Sequence, residues 1–375
     1  MSSINLTKQD LVIVERHNVF GFNLFNQLCR DGGNVFISPT SIALALSMTY
    51  NGARGETKLA MAKTLSVEDL PIEDVNIASK KMLAILRYPD PDAELLVANS
   101  IWAKKGAEFK DKFLQDNEDF FNARIEILRF DAQALKTINE WVSSNTKGKI
   151  PIILERINPS HIMFLINAIY FEGEWSLPFN PELTKDSEFT LRNGTVKMHP
   201  MMAMTNAEEL PYLETSQFQA VRLPYGETGR LGMYVFLPQD IDQFIHDLSI
   251  KNWNSWIQRF REETVSVMLP KVQLEYSKRL NDVLKTLGMG IAFTSAADFG
   301  EMVEGQAYID FVDHKTFLEI DEEGTKAAAA TVVAILRGGT HIRVNRPFFF
   351  AIVDNESSSI LFIGLIENPT LETTA

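Results

Sequence analysis

The chain has 375 residues, 45% of them hydrophobic and 23% charged, with a formal net charge of −13. That length is enough for a large core, and the acidic balance argues against a nucleic-acid or anionic-membrane partner, since both require a concentrated basic face. The single cysteine, Cys29, excludes an intramolecular disulfide, and no apolar run is long enough to span a bilayer.

Residues 9–30 carry an amphipathic helical pattern through Val12, Phe20, Phe22, Leu24, Phe25 and Leu28, which places the Cys29 thiol in a core face. A short strand over 34–38 stops at Pro39, and the hydroxyl and apolar residues that follow predict a helix over 40–48. Asn51-Gly52 and Arg54-Gly55 break it. Helices are expected at 75–87 and 110–122, with an alternating strand at 94–103 between them. The apolar run 163–171 has the length of a buried central strand. Strands at 221–225 and 232–237 pair around the 226–229 turn, and 264–269 and 272–276 show a similar alternation. A helix is expected over 278–287, ending at Gly288, and two buried strands, 347–353 and 360–366, close the chain. Helices first, then many strands without βαβ rhythm, predict an α+β fold. No linker or repeat divides the sequence, so one domain over 1–375 is expected.

A search for catalysis finds no Gly-x-Ser-x-Gly elbow, phosphate loop or His-Glu-x-x-His helix. The six histidines are scattered without metal-ligand spacing, so neither a metal nor a cofactor is expected and the chain reads as no enzyme. His314, inside the strand-like run 311–318, reads as a hydrogen-bonded structural residue. The N-terminal residues show no apolar signal core, which points to a cytoplasmic setting and leaves secretion open.

The most informative segment is 322–337, EEGTKAAAATVVAILR. From Thr325 to Leu336 it has no Gly or Pro, and Lys326 is its only charge. As a strand it puts Thr325, Ala327, Ala329, Thr331, Val333 and Ile335 on one face, small at first and then more apolar, with Lys326 on the other. That face suits insertion into a packed sheet. An alanine-rich helix and an ordinary core strand are the competing readings, and the β-branched end of the segment weighs against the helix.

Four further segments stand out beside 322–331: 34–57 (NVFISPTSIALALSMTYNGARGET), 138–142 with 146–150 (INEWV, TKGKI), 167–175 (NAIYFEGEW), and 345–350 with Gly364 (NRPFFF). Taken in order, the five resemble the serpin family, in its inhibitory type, with 322–331 as its hinge. The resemblance spans nearly the whole chain. It implies three β-sheets, eight or nine helices and an exposed reactive-centre loop at about 322–344. It also implies suicide inhibition: a serine protease cuts the loop and forms an acyl-enzyme. The loop then inserts into the main sheet as an extra strand. The implied hinge is Glu322, Glu323, Gly324, Thr325, Lys326, Ala327, Ala328, Ala329, Ala330 and Thr331, and its inserting residues are small, as in an inhibitor. The implied shutter is Ser38, Ser41, Asn167 and His314; the implied breach is Trp175 and Glu322.

For the reactive bond, the family's spacing forward from Gly324 lands on Gly338, and backward from Pro347 lands on Leu336. Arg337 lies between. Arginine suits a specificity pocket with a buried aspartate, so cleavage is expected between Arg337 and Gly338 by a trypsin-like protease acting on a monomer. Leu336-Arg337 with a chymotrypsin-like target, an elastase-like or cysteine protease, and a non-inhibitory carrier, storage or chaperone role are the alternatives.

Overall fold

The computed structural model of the protein describes residues 6–86, 92–158, 160–204, 207–323 and 340–371. Helix α1 (Lys8–Leu28) is capped by Thr7, whose hydroxyl accepts from the Asp10 amide while the Asp10 carboxylate accepts from the Thr7 amide. Strand β1 (Val35–Ile37) leads into α2 (Pro39–Tyr50). Ser38 caps α2 and Pro39 takes its first position, where a missing N–H leaves no bond unmade. Every residue of α2 is buried, so this helix runs through the core instead of showing one polar face.

The rest of the first half is α3 (Gly55–Thr64), α4 (Ile72–Leu86), β2 (Ala93–Lys104), α5 (Asp111–Phe121), β3 (Arg124–Leu128), α6 (Ala132–Asn145) and β4 (Met163–Gly173). Strands then dominate: β5 (Lys185–Thr190), β6 (Val196–Ala203), β7 (Glu208–Glu214), β8 (Phe218–Tyr225) and β9 (Leu231–Pro238). After the short helices α7 (Ile241–Asp247) and α8 (Ile250–Ile257) come β10 (Arg261–Pro270), β11 (Val272–Arg279), α9 (Asn281–Leu284), β12 (Phe311–Ile320), β13 (Thr340–Arg343), β14 (Phe348–Asp354) and β15 (Ser359–Ile366). The expected α+β class holds, with nine α-helices among the described residues.

One sheet has five strands in the order β11-β12-β4-β2-β3. A ten-stranded network joins two further pieces through β10, whose first half pairs with β7 and whose end pairs with β6. One piece runs β1-β15-β14-β9-β8-β7, and the other holds β5, β6, β10 and β13. Strands β9, β14 and β15 are buried on both faces, which explains their near-continuous apolar sequences. Gly364 on β15 lies against Phe350 of β14; a Cβ there would stand 2.0 Å from the ring, so no larger residue fits without moving it.

One expectation needs correction. The helix predicted over 278–287 begins three residues late: β11 continues to Arg279, after which α9 (Asn281–Leu284) passes into a wider helical turn over Lys285–Met289 that is broken at Gly288, at φ 116°. The reason is long-range. Arg279 places two N–H groups on the Asp313 carboxylate of β12, both at 2.8 Å, and Lys278 pairs with Asp31 at 2.8 Å, holding this stretch extended. The break expected at Asn51-Gly52 and Arg54-Gly55 holds: α2 ends at Tyr50, and α3 starts at Gly55. Its entry is held by the Arg54 amide donating to the Asp298 carbonyl at 2.9 Å.

Candidate functional site

Strands β4 and β12 are parallel neighbours in the five-stranded sheet. Their register runs from Phe311 opposite Phe164 to Phe317 opposite Tyr170, and there it stops. On its other edge β4 pairs with β2 up to Gly173, and β12 pairs with β11 up to Ile320. Among the described residues, 171–173 of β4 and 318–320 of β12 therefore have outer partners but none across the seam. A parallel seam that ends early presents two facing rows of backbone donors and acceptors to a third strand.

Half-way along the seam lies a buried polar row. Asn99 of β2, Asn167 of β4 and His314 of β12 are direct register partners, so their side chains share one face. The N-terminus of α2 lies beneath them. The Ser38 amide donates to His314 Nε2 at 3.2 Å, which leaves Nδ1 as the protonated nitrogen, donating to Asn167 Oδ1. Asn167 Nδ2 in turn donates to Ser41 Oγ and to Asn99 Oδ1, and Ser38 Oγ accepts from the Ser41 amide at 3.2 Å. Burial pushes the His314 imidazole down to about 3, and the donor pointing at Nε2 leaves no room for a second proton. The four residues assigned to the shutter thus meet in one network. Asn99 was missed, because its place depends on the β2–β4 register.

At the open end, Trp175 and Glu322 also come together. The Trp175 indole N–H donates to the Asp321 carbonyl at 2.9 Å, and its ring stacks on Tyr225 at 4.3 Å between centroids. The Trp175 amide donates to the Glu323 carbonyl at 3.1 Å, and the Phe179 amide to that of Glu322 at 2.8 Å. The buried Glu322 side chain accepts from Thr184 Oγ1 at 2.6 Å and pairs with Lys271. Burial alone would raise its pKa, but these two partners outweigh it and hold the carboxyl below the usual glutamate range. Lys271 and Thr184 carried no signal in the sequence, being ordinary polar residues far along the chain. This anchorage fixes the backbone at Glu322 and Glu323; β13, from Thr340, pairs in parallel with β10.

The remaining expected residues, Gly324, Thr325, Lys326, Ala327, Ala328, Ala329, Ala330, Thr331, Leu336, Arg337 and Gly338, lie outside the described residues. Cys29 is buried, and burial pushes its thiol well above the ordinary range, which leaves it a poor nucleophile. Among the described residues no cluster of three or more His, Cys, Asp or Glu side chains is arranged to hold a metal ion, and no helix is long and apolar enough to cross a membrane.

Comparison with known proteins agrees with this geometry. The serpin family profile, described as serine protease inhibitor, matches residues 15–369. The leukocyte elastase inhibitor of Sus scrofa is 34% identical over 93% of this chain and 97% of its own. The crystal structure of a thermophilic serpin, tengpin, in the native state superposes with a TM-score of 0.89 at 34% identity, covering 98% of this chain and 96% of that one. Human thyroxine-binding globulin complexed with thyroxine also matches, with a TM-score of 0.89 at 26% identity over 96% of this chain and all of that one. With a family match along nearly the whole sequence, and a seam and polar row built on the segments that suggested it, this chain belongs to the serpins.

Proposed function

We propose that the protein is a monomeric, cofactor-free suicide inhibitor of serine proteases, with Arg337-Gly338 as its reactive bond and a trypsin-like enzyme as its target. The protease serine oxygen attacks the Arg337 carbonyl and forms an ester. The bond to Gly338 breaks, and its nitrogen leaves as an amine carrying the proton. Once severed, the segment from Glu322 onward is free to enter between β4 and β12, carrying the esterified protease with it before water releases the enzyme. The protein itself turns over no substrate; it is consumed.

The observation that carries this reading is the seam between β4 and β12, whose pairing ends at Tyr170 and Phe317, before the anchorage of Glu323 on Trp175 and of Glu322 on Phe179. A strand entering there pairs with both neighbours. Some ten new backbone bonds, at ~1 kcal/mol net each, release on the order of 10 kcal/mol. The small side chains of Thr325, Ala327, Ala329 and Thr331 pass into the sheet without a charge to bury. A single buried thiol fits a cytoplasmic setting.

The test is incubation with trypsin followed by a denaturing gel. A covalent band heavier than either protein is expected, with the Gly338 amine as the new N-terminus of the released fragment. If chymotrypsin-like, elastase-like or cysteine proteases form the band instead, the target and the bond shift, Leu336 being next. Clean cleavage by all of them without any such band would make the protein a non-inhibitory serpin, for which thyroxine-binding globulin's match to this fold gives the precedent.

A further inference from the structure

The α6 C-terminal turn places two lysines over the top of the five-stranded sheet. Lys147, at φ 50°, and Gly148, at φ 78°, reverse the chain, while Thr146 and Ile150 on either side are fully buried and pin the turn down. Thr146 Oγ1 donates to the Val142 carbonyl at 2.9 Å, and the Lys149 amide donates to the Thr146 carbonyl at 2.9 Å. The two lysines then take separate sides. Lys147 pairs with Glu94 on β2. The Lys149 ammonium lies 5.5 Å from the Tyr170 ring centre on β4 and 5.4 Å from that of Phe317 on β12, and 3.7 Å from the Glu319 carboxylate. Tyr170 and Phe317 are the last registered pair of the seam.

The surroundings give that position its weight. Glu94 and Glu172 are direct register partners. Glu172 and Glu319 each stand two residues past the Tyr170–Phe317 pair, so they lie at one level and on one face. Three carboxylates on three adjacent strands form an acidic row, and like charges at neighbouring cross-strand positions repel. Burial first, then the field of these carboxylates and a hydrogen bond to Glu172, raise the Tyr170 phenol above its ordinary range. Between Glu172 and Glu319 this repulsion acts to part β4 from β12.

We propose that Lys149 is a clasp on this seam: it draws the Tyr170 and Phe317 rings together through their π faces and offsets the repulsion between Glu172 and Glu319, so its release is a step in sheet opening. The inference rests on the strand-insertion reading for its consequence, though not for its geometry. A strand entering the seam adds a further spacing of ~4.8 Å between β4 and β12, after which one ammonium cannot face both rings. The clasp therefore favours the closed sheet and sets how readily a segment enters. Lys147, bound to β2, holds the turn but does not bridge the seam.

The test is amide hydrogen exchange, read by mass spectrometry, on peptides covering β4 and β12, in the intact protein and three variants. Lys149→Gln keeps the chain length but removes the charge and is expected to speed exchange at the last paired positions of the seam, 167–170 and 314–317, about five-fold. Lys149→Arg, which retains both the charge and the ring contacts, stays within two-fold of the parent. Lys147→Gln, the same chemical change on the other side of the turn, also leaves the seam within two-fold and controls for loosening of the turn. Uptake of a synthetic peptide of sequence 325–336 is followed in parallel and is expected to be about five-fold faster in Lys149→Gln. Parent-like exchange in Lys149→Gln, or equal acceleration in both Gln variants, overturns the clasp. Faster exchange with no peptide uptake by any form leaves the clasp standing and overturns the insertion reading.

Discussion

The two edges of β4 behave differently. Toward β2 it pairs antiparallel through eleven register positions, from Met163 to Gly173. Toward β12 it pairs in parallel through seven and stops at Tyr170. The first edge is complete and the second is not, although both strands continue. The lesson is that the sheet has a built-in direction of failure: separating β4 from β12 costs fewer bonds, of the slightly weaker parallel kind. The side chains follow the same division. A buried hydrogen-bonded row and a lysine hold the short seam, where backbone pairing alone is thin.

The sharpest way to break this comparison is to obstruct the strand that the short seam would admit. Thr325→Arg puts a charge on the inserting face, where it must be buried without a partner. Inhibition of trypsin should fall at least ten-fold, with cleaved chain replacing the covalent band. Unchanged inhibition would mean that the segment does not enter with that face inward. The next largest effect concerns the parent protein. Nicking at Arg337 should raise the melting temperature by more than about 10 °C, because the completed sheet gains a full ladder of bonds. Equal melting of nicked and intact chains would show that no free energy is stored at the seam.

Much of this architecture was legible in advance, for a physical reason. Strands β4, β14 and β15 are buried on both faces along most of their length, so their sequences are largely apolar, Asn167 in β4 apart, and need no neighbour to be recognised. Helix α2 announces its start with Ser38 and Pro39. By contrast, β5 (KDSEFT) and β7 (EELPYLE) carry little alternation, and their partners, β6, β8 and β10, define them. The same holds within the site. Ser38, Ser41, Asn167 and His314 sit in segments that resemble the family's, and they meet. Asn99, Lys271 and Thr184 enter only through register or through a contact between distant strands, which spacing along the chain does not encode.

The smallest predicted effect separates the two edges of β4 within the polar row itself. His314→Ala removes the bond that crosses the short seam and leaves Asn167 Oδ1 and the Ser38 amide without partners, at a cost of about 2–4 kcal/mol in urea unfolding. Asn99→Ala removes one acceptor on the fully paired edge and should cost about 1 kcal/mol. Acid distinguishes them further. Burial lowers the His314 pKa in the folded chain to about 3, whereas a free histidine titrates near 6.5, so below that value the unfolded state binds the extra proton. The contribution of His314 is therefore intact above pH 6.5 and is lost as pH falls toward 3. Buried His17, lowered to about 4, adds a second loss of the same sign. Unfolding measured between pH 7.5 and 4.5 should show His314→Ala with a slope shallower by up to one proton, about 1.4 kcal/mol per pH unit, and Asn99→Ala with the parent slope. Identical slopes in all three proteins would place the titrating group elsewhere and remove the neutral imidazole from the account of how the short seam is held.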